Sequence, residues 1–129
     1  MDAQALDALE RALTDRAREI ADQRGLGVTI EAVGRRDPAP TTESIRDAFE
    51  AAAADLGLST MTLSSGAGHD AQSLAAITPS GMVFVPSQGG ISHDAAEETA
   101  WADCLNGANV LLNAALRLAE AEAARSSLA

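Results

Sequence analysis

Apolar side chains recur at helical spacing over the first two dozen residues. Leu6, Leu9, Leu13, Ala17 and Ile20 stand three, four, four and three residues apart, which puts them on one face of a helix over residues 2–24. Arg and Asp fill the opposite face, and Gly25 and Gly27 end the segment. The period then changes. Val28, Ile30 and Ala32 alternate with Thr29, Glu31 and Val33, the pattern of a short strand with one buried face. Gly34–Pro40 carries Pro38 and Pro40 and can continue neither element, so a domain crossing is expected there.

Beyond the crossing, Thr41 or Thr42 is placed to cap a helix over 43–56 with Ile45, Phe49, Ala53 and Leu56 inward. Residues 60–63 read as a strand, followed by the loop Ser64–His69 and a short helix from Asp70. Met82–Val85 is a continuous apolar run, as in a strand buried on both faces. A second loop, Pro86–His93, leads into a long helix from Asp94 to about Ala124, with Trp101, Leu105, Ala108, Leu112 and Ala115 as its inner stripe. This order predicts an α/β fold, the end of a helix-covered, mostly parallel sheet. Ligands of such sheets bind beyond the carboxyl ends of the strands, where each expected loop holds one of the two histidines.

Composition sharpens this picture. With 129 residues, 47% hydrophobic and 2% aromatic, the chain has the length of one ordinary domain, and its core must come from Ala, Leu, Val and Ile. Nine basic residues, all Arg, face nineteen acidic ones for a net charge of -10, a field that repels nucleic-acid backbones. Cys104 is the single cysteine, which rules out an internal disulfide or a cysteine zinc cage and favours a cytoplasmic protein. No apolar run is long enough to span a bilayer, so no membrane partner is expected.

Two places could carry chemistry. His93 closes its loop beside Asp94, and Asp94 and Glu97 have capping-box spacing. A held imidazole next to a carboxylate suits a metal ligand, although a lone loop histidine is also ordinary surface. His69 ends Ser65-Gly66-Ala67-Gly68-His69, where the glycines either let backbone amides approach a ligand or supply the dihedrals of a tight turn. Gly66-x-Gly68-x-x-Ala71 also fits a relaxed dinucleotide fingerprint. No acidic residue follows about twenty positions on, however, and Pro79 cuts the helix short. Arg35 and Arg36 read as solvated linker residues within reach of an anion or a partner chain.

Three ordered motifs stand out: Ser65-Gly66-Ala67-Gly68-His69-Asp70-Ala71, then Gly81-Met82-Val83-Phe84-Val85-Pro86-Ser87, then Gly90-Ile91-Ser92-His93 with Glu97 and Thr99. Together they closely resemble the C-terminal part of the N-carbamoyl-L-amino-acid hydrolase and allantoate amidohydrolase family, within the wider M20 metallopeptidase-like group. The likeness continues through Trp101, Asp103, Gly107, Ala108, Val110 and Leu111. It implies that 1–38 is the end of an α+β lid and dimerisation domain, and that 39–129 is the C-terminal part of a metal-dependent catalytic domain. It further implies His93 as a metal ligand and His69 as the catalytic, substrate-contacting residue, with Gly66 and Gly68 beside it at the substrate. The cofactor would be two divalent ions per site, zinc or else manganese, cobalt or nickel. The reaction would be hydrolysis of a linear ureido or carbamoyl C–N bond in a small molecule, by a homodimer.

One departure is Ala95, where the family carries proline two residues after the metal-binding histidine. The other metal ligands, the general-base glutamate and the arginine for the substrate carboxylate all lie N-terminal to this stretch in the family. The expectation is therefore a fragment, truncation product or split part that needs the missing N-terminal half and is inactive alone; a non-catalytic interaction module or pseudo-enzyme remnant is the alternative.

Overall fold

In the computed structural model, which describes residues 3–127, the elements are α1 (Ala3–Gln23), α2 (Glu43–Asp55), α3 (Asp70–Leu74) and α4 (Trp101–Ser126), with a 3₁₀ turn at Gln88–Gly90. The chain divides into two compact units, Met1–Ala39 and Pro40–Ala129. None of its described helices is long and apolar enough to cross a membrane.

In the first unit, α1 ends where Gly25 turns into the left-handed region at φ +65°, and the Leu26 N–H donates back to the Ala21 carbonyl at 2.9 Å. Ala21 is the one buried hydrophobic residue described there, while Leu9, Leu13 and Ile20 of the expected inner face stay exposed. Arg35 ties the tail to the helix. It pairs with Asp7 and lies 3.5 Å from Glu10 and 2.9 Å from Asp37. The Asp7 hydrogen bond, then that of Asp37, holds the guanidinium above its usual pKa. Arg35 is thus committed within its own unit and is not the open linker arginine expected from its neighbours in sequence.

In the second unit, α2 and α4 pack through small residues. Ala52 and Ala53 meet Val110 and Ala114, with Ala48, Phe49, Leu58 and Val83 at the margin. Small side chains let the two backbones approach closely. This sets the inner register of α4: Gly107, Val110, Ala114 and Leu118 turn inward, whereas Trp101 is 87% and Leu105 62% exposed. The expected Trp101–Leu105–Leu112 stripe is therefore wrong, because it follows side-chain size instead of closeness of approach. Thr42 stands at the N-cap position of α2 but makes no side-chain cap bond. Its hydroxyl accepts from the Ser80 N–H at 3.1 Å, and its own N–H donates to the Ser80 carbonyl at 2.8 Å. That two-bond clasp brings the 80–85 segment against α2.

The expected sheet is absent. Among the described residues there is no strand at all, which overturns both the helix-covered parallel sheet and the strand of the α+β lid. A strand requires a neighbour for its N–H and C=O groups. Within the first unit the backbone of 28–33 makes no hydrogen bond, and within the second those of 60–63 and 82–85 make none to each other. Residues 82–85 instead use side chains: Val83 borders the α2–α4 core, and Val85 abuts Gly107 so closely that a methyl there would collide.

Gly81 is a second close approach. A methyl on it would stand 2.5 Å from Ile45 Cγ2 and 3.1 Å from Phe49. Gly81→Ala is expected to destabilise the second unit by about 1–3 kcal/mol, the usual scale of overpacking, read as a lower urea midpoint at an unchanged slope.

The chain exposes 9990 Å², whereas two separately compact units of these sizes would expose roughly 7,600 Å² by the scaling of surface with mass. Large apolar side chains such as Leu13, Met61, Leu63 and Leu112 are more than half exposed, so the chain's own residues leave apolar surface uncovered.

Candidate functional site

The loop before α3 is organised by Ser65. The Ala67 N–H donates to Ser65 Oγ at 3.2 Å, Ser65 Oγ stands 3.2 Å from the Ala67 carbonyl, and His69 Nε2 lies 2.9 Å from the same oxygen. His69 is extended (φ −135°, ψ 156°) at the start of α3 and makes no side-chain cap bond. Its ring meets Phe84 edge-on, with centroids 5.5 Å apart and planes at 67°. A residue of the Met82–Val85 run thus supports a residue of the Ser64–His69 loop. Neither Gly66 nor Gly68 has a positive φ, and a methyl on Gly66 would meet nothing within 4 Å. The tight turn that would have required glycine dihedrals is not what this loop forms.

The second loop is closed at its base by the Gln88 N–H, which donates to the Glu98 carbonyl at 2.8 Å. Gly89 and Gly90 both sit in the left-handed region, at φ +65° and +70°, a succession that side chains would strain. Ser87 Oγ donates to the Ile91 carbonyl. His93 is itself left-handed, at φ +59°, the one non-glycine residue described with a positive φ. Its N–H donates to the Glu97 carboxylate at 2.7 Å, a charge-assisted bond that helps hold an unfavourable backbone. The Ala96 N–H donates to Asp94 Oδ1 at 2.9 Å.

The Asp94–Glu97 spacing therefore builds a closed turn instead of a capping box. α4 begins at Trp101, not at Asp94, because the Glu98 carbonyl is taken by Gln88 and the Glu97 side chain turns back to His93. The exposed His93 imidazole has no hydrogen-bond partner among the described residues. Glu97→Ala is expected to speed hydrogen exchange of the His93 amide about tenfold, the equivalent of ~1.4 kcal/mol, with the amides of α2 unaffected.

The two histidines are not joined by any hydrogen bond or ring contact. Among the described residues no group of three or more His, Cys, Asp or Glu side chains could hold a metal ion. Taken alone, these residues do not fit a metal centre. Ser65 and Phe84 are supporting residues that the motifs left without site roles, and Glu97, expected to fix the loop exit as half of a capping box, holds the His93 amide instead. Two of them lie four residues from a histidine, a separation at which a loop readily folds back on itself.

The family model described as Peptidase family M20/M25/M40 matches residues 5–117. An N-carbamoyl-L-amino acid amidohydrolase from Geobacillus stearothermophilus is 39% identical over 120 residues, which cover 93% of this chain and 29% of the relative. An allantoate amidohydrolase from Escherichia coli is 33% identical over 110 residues, 85% of this chain and 27% of the relative. Among solved structures, an amidase of the hydantoinase/carbamoylase family from Burkholderia multivorans superposes with a TM-score of 0.78 at 37% identity, over 88% of this chain and 28% of that one. The chain thus spans somewhat more than a quarter of the length of these relatives. The family match covers most of the chain, and His69 and His93 both fall inside it; the chain belongs to the M20/M25/M40 peptidase family.

Proposed function

We propose that this chain is the part of a small-molecule amidohydrolase that supplies two histidines to a site completed by residues outside it. His93 is the metal ligand it contributes, and His69 reaches the reacting group of an N-carbamoyl amino acid, a ureido acid or allantoate. The observation that carries this reading is the match over residues 5–117, together with 39% identity to a relative named for N-carbamoyl-L-amino acids.

Geometry supports each part. His93 sits in a loop pinned by Glu97, and its ring makes no hydrogen bond among the described residues. Gly66 and Gly68 are glycines that neither dihedral nor, at Gly66, crowding demands of this chain, which leaves close approach of a substrate as their use. His69 would stabilise negative charge on the carbonyl oxygen as the attacked carbon becomes tetrahedral. When present, the divalent ions (zinc, or manganese, cobalt or nickel) would polarise that same group. The large uncovered area is what a portion of a bigger body exposes. In this reading 1–38 belongs to a lid and dimerisation domain and 39–129 to the catalytic domain of a cytoplasmic homodimer.

A second reading, a non-catalytic remnant or interaction module, draws on the described residues alone, among which no group of three potential ligands stands together. A chimaera separates the two. The chain replaces the 120 matched residues of the Geobacillus protein, and turnover of N-carbamoyl-L-amino acids and allantoate is measured with added divalent metal. Turnover supports the hydrolase reading; a folded, metal-loaded but inert chimaera favours the remnant.

A further inference from the structure

We infer that Ser65 is a positioning residue for His69, fixing which ring nitrogen is left to meet a ligand. Ser65 Oγ has three partners: the Ala67 N–H at 3.2 Å, the Ala67 carbonyl at 3.2 Å and His69 Nε2 at 2.9 Å. A hydroxyl has one hydrogen to give and two lone pairs to accept with. If Nε2 carries the ring proton, all three contacts are satisfied together: Ala67 N–H and Nε2–H donate to Oγ, and Oγ–H donates to the Ala67 carbonyl. If the hydroxyl donated to Nε2 instead, the Ala67 carbonyl would lose its partner. The first arrangement makes one more hydrogen bond from the same atoms.

Phe84 restricts the ring from another side, edge-on at 5.5 Å. Nδ1 makes no cap bond to α3, and the one side-chain hydrogen bond of the ring among the described residues is at Nε2. Ser65 therefore presents Nδ1 as the working nitrogen. On the proposed reading of His69 as a substrate contact, a consequence follows for its chemistry. The neutral ring offers a ligand an acceptor at Nδ1, and it serves a developing oxyanion only after Nδ1 takes up a proton. A serine nucleophile activated by histidine would need the opposite donor direction, so this pair is not poised for that chemistry.

The test uses the 129-residue chain labelled with ¹⁵N, at pH ~8.5, about two units above an ordinary imidazole pKa. His93→Gln removes the other histidine signal. The long-range ¹⁵N pattern of His69 should be that of the Nε2–H tautomer, and its ring protons should show cross-relaxation to the Phe84 ring. Ser65→Ala should weaken that cross-relaxation several-fold while the α2 and α4 amide signals stay in place, and Ser65→Thr, which keeps the hydroxyl, should restore it. An Nδ1–H tautomer in the unmodified loop, or an unchanged His69–Phe84 cross-relaxation in Ser65→Ala, overturns the inference. Neither readout involves substrate, so such a failure would remove the role of Ser65 and leave the assignment of His69 to be judged on turnover.

Discussion

His93→Ala in the chimaera is expected to abolish metal retention and turnover together. The left-handed backbone at φ +59° and the 2.7 Å bond from its N–H to Glu97 hold the residue at the tip of a loop closed by Gln88 and Glu98. No group of three potential ligands exists among the described residues to take over its place. Loss of groups that merely orient a ligand lowers metal affinity by about 10–100-fold, so loss of the ligand itself should exceed about a hundredfold and leave the site empty after dialysis. Metal analysis and activity on the same dialysed sample decide the matter. Full occupancy with normal turnover would return His93 to ordinary surface and leave its left-handed backbone without a functional explanation.

His69→Ala in the same chimaera should separate the two properties that His93→Ala removes together. His69 lies on a different loop, bonded to Ser65 and braced by Phe84, with no hydrogen bond or ring contact to His93. Metal content should therefore survive. Catalytic efficiency should fall by about a hundredfold or more, the scale of one lost oxyanion donor, and mainly in kcat if the contact strengthens in the transition state. Loss of metal in this variant would show that the two histidines share one role.

The first two helices were legible because their signals are local, whereas the expected start of α4 at Asp94 was seven residues too early. The Leu6–Ile20 spacing placed α1, and the apolar spacing from Ile45 to Ala53 placed α2, each within a residue or so of its observed ends. The errors share a different cause. Val28–Val33, Thr60–Leu63 and Met82–Val85 have strand-like patterns, but pairing depends on a neighbour that pattern alone does not supply, and none of these segments pairs within its own unit. On α4, large side chains suggested an inner face, while Gly107 and Ala114 set the real one by letting α2 and Val85 approach.

The same distinction runs through the candidate site. His69, His93 and the glycines were visible as motifs. Their supports were harder to see, since Asp94 and Glu97 have the spacing of a cap yet spend their oxygens on the Ala96 and His93 amides. Spacing does not say which donor a carboxylate will choose. The Ser65 contact to His69 likewise depends on how residues 65–69 fold back, which motif composition does not specify.

The central claim is that the two histidines serve a site this chain does not complete. Assaying the isolated 129-residue chain on N-carbamoyl-L-amino acids and allantoate, with zinc, manganese or cobalt added, tests it most directly. Turnover no faster than a control without protein is expected, in conditions where the chimaera is active. Metal-dependent turnover by the isolated chain above that control would contradict it.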